Sequence, residues 1–278
     1  MKNILVPVDF SGESINALRV ARQIAQKGNA RLIVSHTIEF GDYANEPLEA
    51  YDALKNQLLT AVKTKVNELL QKENIILPSE SIKIEINNTF SHILALIKNE
   101  KVNLVAMGSK GIRNWQAVSI GSITGKVIRY STCPVLIVKE FVEIKDLQQI
   151  TFASDLKNTP LRIIRALKDF QEVLGARIQL LKVNTRNNWC TERTLNQQIE
   201  EFGKRYEFEN YSKKIYNDVE PEDGIIHYTE DTGAKLIAIA PHTKSDTSTI
   251  ITDYRITERV VENTNSIVWA SGLGGPRS

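Results

Sequence analysis

A repeat constrains this chain more than any other feature. The stretch NILVPVDFSGESINALRVARQIAQKGNARLIVSHTIE (3–39) lies over QITFASDLKNTPLRIIRALKDFQEVLGARIQLLKVNT (149–185) at a constant offset of 146 residues. The offset pairs Asp9 with Asp155 and Ala30-Arg31 with Ala176-Arg177. Each copy opens with a short apolar run ending in Asp, continues with a stretch of helical period and closes with a second apolar run. A length of 278 residues suits two units of roughly 140 residues, each large enough to bury a core without disulfides or metals.

Helical spacing is carried by Ile15, Leu18, Ala21, Arg22 and Ala25 in the first copy, and by Ile163, Ile164, Leu167, Phe170 and Leu174 in the second. Ser11, followed by Ser14, makes a helix start, and Gly28 and Gly175 stand where C-caps belong. Runs such as ILVPV, RLIVSH, LVAM and VLIV are short, β-branched and apolar at consecutive positions, as strands covered on both faces require. The first half therefore reads as strand 3–8, helix 12–27, strand 30–37, a long helix from about 46 to 72, strand 81–87, helix 90–99, strand 103–107, helix 121–131 and strand 134–138. The second half repeats that order over about 146–271. Alternating strands and helices predict an α/β fold with two doubly wound parallel-sheet domains, at 1–140 and 146–272, joined through the charged stretch KEFVEIKDLQQ (139–149).

Composition narrows function mainly by exclusion. The net charge of +2 predicts no nucleic-acid partner, and no apolar run approaches the length of a membrane span. The opening apolar run ends at Asp9, too soon for a signal peptide, so the chain reads as cytoplasmic. Cys133 and Cys190 are too few for a disulfide framework or metal cluster and read as small buried apolar residues. The histidines (36, 92, 227 and 242) show no metal-ligand spacing, and His36 reads as structural.

In open parallel sheets, ligands bind beyond the carboxyl ends of the strands, where strand order reverses. Asp9 ends the first strand there, and MGSKGIRNWQAVSIGSITG (107–125) follows the fourth. Asp9 alone reads equally as a turn residue. Gly108 and Gly111 permit a sharp turn or close backbone approach, while Gly121-Ser122 falls at a helix start that either binds phosphate or is merely capped. Neither a Walker A motif nor a GxGxxG motif is present.

The spacing Gly108-x2-Gly111-x9-Gly121-Ser122, with ILVPVDFS before it and CPVLIVKE after it, resembles the ATP-binding signature of the universal stress protein family. The resemblance covers the first half fully and the second in outline. It implies an adenine-nucleotide α-hydrolase-like, Rossmann-like domain with strand order 3-2-1-4-5. It further implies an adenosine pocket lined by Pro7, Val8 and Asp9, and an adenine contact at Thr37. Ribose and phosphates would be held by Gly108, Gly111, Gly121 and Ser122, with Met107, Lys110, Ile123 and Thr124 beside them. The implied cofactor is ATP, alone or with Mg2+. Lys110 and Arg113 are either phosphate cations or solvated loop charges, and Trp115 covers the nucleotide or a partner subunit.

The second half departs from this signature. Aligning KLIAIAPHTK under NLVAMGSKG sets Ala240, Thr243, Asp253 and Tyr254 at the signature positions, and slipping by one gives Pro241, Lys244, Tyr254 and Arg255. Neither register supplies a glycine, which predicts a degenerate second domain without ATP. The family pairs through its last strand, so PVLIVKE (134–140) and SIVWASG (266–272) are expected to pair within the chain, with a homodimer left open. The expected function is an ATP-binding stress-response regulator without catalytic residues, acting on unidentified protein partners; a slow ATPase is the alternative. The loop DFSGES lacks the SGGxDS pattern usual in adenylating relatives.

Overall fold

The computed structural model describes residues 1–39, 48–109, 122–157, 159–240 and 247–271, with backbone alone for 48–51, 122 and 247–254. The first half runs β1 (Asn3–Pro7), α1 (Gly12–Lys27), β2 (Arg31–Ile38), α2 (Leu48–Lys72), β3 (Ile82–Ile86), α3 (Thr89–Asn99), β4 (Leu104–Gly108), α4 (Ser122–Tyr130) and β5 (Val135–Val138). The second runs β6 (Gln149–Ala153), α5 (Leu161–Leu174), β7 (Arg177–Thr185), α6 (Glu192–Arg205), β8 (Tyr211–Asp218), α7 (Pro221–Thr232), β9 (Leu236–Ile239), α8 (Thr247–Asn263) and β10 (Ile267–Ala270). These bounds follow the expected order, and the strands form one sheet, β3-β2-β1-β4-β5-β10-β9-β6-β7-β8. Each half thus carries the order 3-2-1-4-5, which is that of the universal stress fold.

The two copies agree down to single backbone torsions. Phe10 and Leu156, 146 residues apart, both take φ of 65° although neither is glycine. In each case the preceding aspartate makes the turn: Ser11 N donates to Asp9 Oδ1 at 2.9 Å, and Lys157 N donates to Asp155 Oδ1 at 2.8 Å. Such a side chain replaces a backbone turn and tolerates left-handed geometry beside it. Ser11 caps α1 by accepting from Ser14 N, and Gly175 closes α5 with φ of 62°. Arg22, read above as part of the apolar face of α1, instead donates from its guanidinium to Glu73 O at 2.7 Å, and Val20 and Ile24 are buried in its stead. Cys133 is buried as expected, whereas Cys190 is half-exposed with its backbone held by Asn184.

Two apolar layers cover the sheet. One holds Leu18, Ile24, Leu136, Phe152, Phe170 and Trp269; the other holds Ile33, Ile93, Val127, Ile137, Ile237 and Val268. Both layers run through both halves because β5 pairs antiparallel with β10, setting Ile137 against Val268, Leu136 against Trp269 and Val135 against Ala270. Trp269 is fully buried and stacks on Phe170, with ring centroids 6.5 Å apart. Side chains also reach across the junction. Lys139 Nζ donates to Glu262 O at 2.9 Å and Thr264 O at 2.6 Å, at the C-terminal end of α8, where a cation is favoured. Burial pushes the Lys139 amine down to about 8, against the pull of Glu262 and Glu140. Lys27 Nζ donates to Leu174 O at 2.7 Å, at the end of α5.

Trp269 fills the seam from one side, so its loss leaves a cavity shared by both halves. Trp269→Ala is expected to destabilise the whole chain by about 3–5 kcal/mol in urea unfolding, as large aromatic truncations do.

Candidate functional site

The carboxyl ends of β1 and β4 lie side by side, since Ile4 pairs with Leu104 and Leu5 with Val105. The chain winds from β1 outward through β2 to β3, then crosses to β4 on the other side of β1. In open parallel sheets such a reversal is where a ligand crevice lies, above the ends of β1 and β4.

Gly108, the last residue of β4, has a reason on the page. A Cβ there would lie 2.4 Å from the backbone of Glu13 and Ser14, inside the first turn of α1. The glycine is therefore required by the protein's own backbone, in addition to any ligand. Ser109, not singled out from the sequence, is 5% exposed, and its Oγ is buried without a hydrogen-bond partner among the described residues. Its position between Gly108 and Lys110 inside the signature was the available signal. Met107 points into the layer formed by Leu5, Ile33 and Ile137, so its side chain is core. Ile123 packs on that layer and Thr124 is buried at the start of α4. Lys110, Gly111, Gly121, Arg113 and Trp115 lie outside the described residues, as does the Ser122 side chain.

Around β1 the side chains tie the crevice floor together. Pro7 ends the β1–β2 ladder opposite Ser35, and Val8, buried, donates its N–H to Ser35 O at 2.8 Å. His36 Nδ1 lies 2.7 Å from Val8 O; a carbonyl only accepts, so this nitrogen carries the proton. The His36 ring stands 4.7 Å from Phe10, whose face is covered by Lys65 Nζ at 4.2 Å. Asp9 keeps its surface position, with Oδ1 accepting from both the N–H and the hydroxyl of Ser11. Burial raises its pKa, but the Ser11 and Ser14 hydrogen bonds outweigh this and hold the carboxyl below its usual range.

Thr37 projects past the end of β1. Its hydroxyl lies 2.7 Å from His92 Nδ1, and His92 Nε2 lies 3.3 Å from Glu85 Oε2. His92 is 2% exposed on α3. Burial pushes its pKa down, opposed by Glu85. Nothing in residue order singles out His92, because the spacing of histidines speaks only to metals.

The second half can now be registered by geometry. Leu5 pairs with Val105 and Thr151 with Ile237, which equates Gly108 with Ala240. Ser131 N donates to Val127 O and Thr264 N to Val260 O, closing equivalent helices and equating Ser122 with Arg255 and Gly121 with Tyr254. Neither sequence register holds throughout: the strand follows one and the helix the other, with one residue inserted between.

The model of the universal stress protein family matches residues 1–139, half of the chain. The chain belongs to the universal stress protein family. A universal stress protein of Thermus aquaticus is 32% identical over 139 residues, covering 50% of this chain and 98% of the relative. One from Methanocaldococcus jannaschii is 27% identical over 154 residues, covering 50% and 94%. Over the full length, the crystal structure of a universal stress protein from Archaeoglobus fulgidus superimposes with a TM-score of 0.71 at 18% identity, covering 98% of both chains. A structure from Pseudomonas aeruginosa does so with a TM-score of 0.66 at 15% identity, covering 98% of this chain and 93% of that one. The fold of this universal stress protein is thus shared along its whole length. Among the described residues, no helix is long and apolar enough to cross a membrane, and no cluster of three or more His, Cys, Asp or Glu converges.

Two outcomes follow for the crevice. Gly108→Ala is expected to lower stability by about 2 kcal/mol or more, because the added methyl meets backbone. Gly12→Ala, which meets nothing within 4 Å, serves as the control and should stay within about 0.5 kcal/mol. For Asp9, a folded-state pKa below the unfolded one means stability that is present above the unfolded value of about 3.9 and lost as pH falls through the folded value. The stability gap between the wild type and Asp9→Asn should therefore be open at neutral pH and narrow as pH falls below the unfolded value of about 3.9 in acid-titrated urea unfolding.

Proposed function

We propose that this chain is a nucleotide-binding regulator of the universal stress type, holding ATP, alone or with Mg2+, in its first half only. One observation carries the reading. The first half carries Gly108 at the end of β4 and Gly121-Ser122 at the head of α4, where the equivalent positions of the second half are Ala240, Tyr254 and Arg255. Glycines there let a phosphate approach backbone N–H groups closely, whereas alanine and tyrosine at the equivalent positions bring side chains into that space. Gly108, the unpartnered Ser109 hydroxyl and the backbone turn at Asp9 fit a nucleotide entering between β1 and β4.

In this reading each half is one domain. Pro7, Val8 and Thr37 face the adenosine, and Gly111, Gly121 and Ser122 receive the phosphates, with Lys110 supplying positive charge beside them. The second domain completes the sheet through β10 and covers the edge of β5. The protein acts through its nucleotide-bound state on protein partners rather than by turnover.

The chain purified without added nucleotide, then denatured, should release ATP, and calorimetric titration of emptied protein should give one site per chain. Gly121→Tyr, which borrows the residue of the second half, should abolish binding by at least about 100-fold while circular dichroism stays unchanged. Two sites per chain would contradict the one-pocket reading, and ADP accumulating with time would replace it by slow hydrolysis.

A further inference from the structure

A half-open cleft of about 270 Å³ lies along the C-terminal half of α1. Its walls are Arg19, Arg22, Gln23 and Gln26 of α1, Glu73 and Ile75 just after α2, and Phe141 of the stretch that joins the halves. The four α1 residues follow helical spacing beside the buried positions Leu18, Ala21 and Ile24, so they share one side of the helix. The first turn of α1, which bears on Gly108, is not part of the cleft.

The two arginines are chemically alike and differently occupied. Arg19 grips the Glu73 carboxylate with its Nε–Nη2 edge, Nε donating to Oε2 at 2.7 Å and Nη2 to Oε1 at 2.8 Å. Arg22, one turn on, donates only Nη1, to Glu73 O at 2.7 Å. Its own Nε–Nη2 edge meets no acceptor among the described residues. Those two parallel N–H groups are the fork that takes a carboxylate bidentately, as Arg19 does beside it. The Arg19 hydrogen bonds hold the Glu73 carboxyl below its usual range, against burial, so Glu73 is ionised and already matched. Arg22 is left as the uncompensated charge of the wall. Gln23 adds a donor, because its Oε1 accepts from Ile144 N at 2.9 Å and its amide N–H groups remain.

The rest of the wall is apolar. Asn74 takes φ of 53° and turns the chain at the end of α2, with Ile75 N donating to Leu70 O at 2.8 Å. Ile75 is thereby buried at the cleft, while its neighbour Ile76 is 98% exposed and Phe141 is 39% exposed.

We propose that this cleft binds a compact organic carboxylate, with its anionic head on the free edge of Arg22 and its apolar body against Phe141 and Ile75. The volume lies just below the usual range for small-molecule sites, which calls for a compact ligand. A planar two-pronged edge and a single uncompensated charge suit a carboxylate better than a phosphate ester. The proposal stands apart from the nucleotide reading. Its ligand would touch α1 and the stretch leading into the second half together, which Gln23 and Ile144 already join.

The second half supplies an internal comparison. The offset of 146 sets Arg165, Lys168, Asp169 and Glu172 of α5 where α1 has Arg19, Arg22, Gln23 and Gln26. Lys168 Nζ donates to Glu207 O at 2.8 Å, as Arg22 donates to Glu73 O. A lysine has no planar edge left to offer, and Asp169 and Glu172 bring carboxylates where the first half has amides. The anion chemistry of the cleft therefore belongs to the first half.

Benzoate is the probe, with benzamide as its neutral analogue and phenyl phosphate as the ester. Each is titrated into the full-length protein while backbone amide NMR signals are followed. Benzoate should bind with a dissociation constant on the order of 1 mM and shift the signals of residues 73–76 and 141–144. Benzamide should bind about tenfold more weakly or worse, and phenyl phosphate no more tightly than benzoate. Arg22→Gln should weaken benzoate by about tenfold or more, and Phe141→Ala by about threefold. Gln26→Glu, at an exposed position, adds a repelling carboxylate, should cost about threefold or more, and decides the matter if Arg22→Gln does not fold. Equal binding of benzoate and benzamide, unchanged affinity in Gln26→Glu, shifts confined to other residues, or no saturation by about 20 mM overturns the proposal. Phenyl phosphate binding about tenfold more tightly than benzoate overturns the carboxylate assignment.

Discussion

The antiparallel pairing of β5 with β10 is the contact on which the rest of the architecture depends. Each half ends in a four-residue strand buried on both faces, and an uncovered strand of this kind exposes a row of unpaired N–H and C=O groups. Pairing the two satisfies both at once and fuses the two apolar layers across the seam. Trp269 and Phe170 then pack beside Leu136, and Lys139 reaches the end of α8. A partly desolvated amine is tolerated there because two carbonyls and a helix C-terminus receive it.

Within that frame the halves differ at the strand ends where the glycine signature lies. The turns after β1 and β6 keep the same aspartate and the same left-handed residue, so the entry to the first helix is built identically. The differences gather after β4 and β9 and on the facing α3 and α7. Gly108 gives way to Ala240 and Gly121 to Tyr254, and the Thr37–His92 pair becomes Val183 against Gly224.

Much of this was legible in residue order. The repeat at offset 146, the caps Ser11, Gly28 and Gly175, and the consecutive apolar runs determine element type through local physics. The site was legible as a motif more than as a set of contacts. Gly108 announces a close approach, yet only the packing of α1 shows that the approaching group is the backbone of Glu13 and Ser14. Met107 sits in the motif but turns into the core, since alternation along β4 sends it to that face. Neither register of the second half could be chosen from sequence, because the inserted residue falls between a strand that follows one alignment and a helix that follows the other.

By itself, the sequence determined that two α/β units of one kind follow each other and that the glycine signature occurs in the first. Periodicity, caps and motif spacing are local properties, and local properties survive being read in one dimension. Only the tertiary structure decided that Thr37, Glu85 and His92, on three elements, meet at the end of β2. Hydrogen-bond polarity depends on which groups meet in space and which of them can donate, and no spacing along the chain records that.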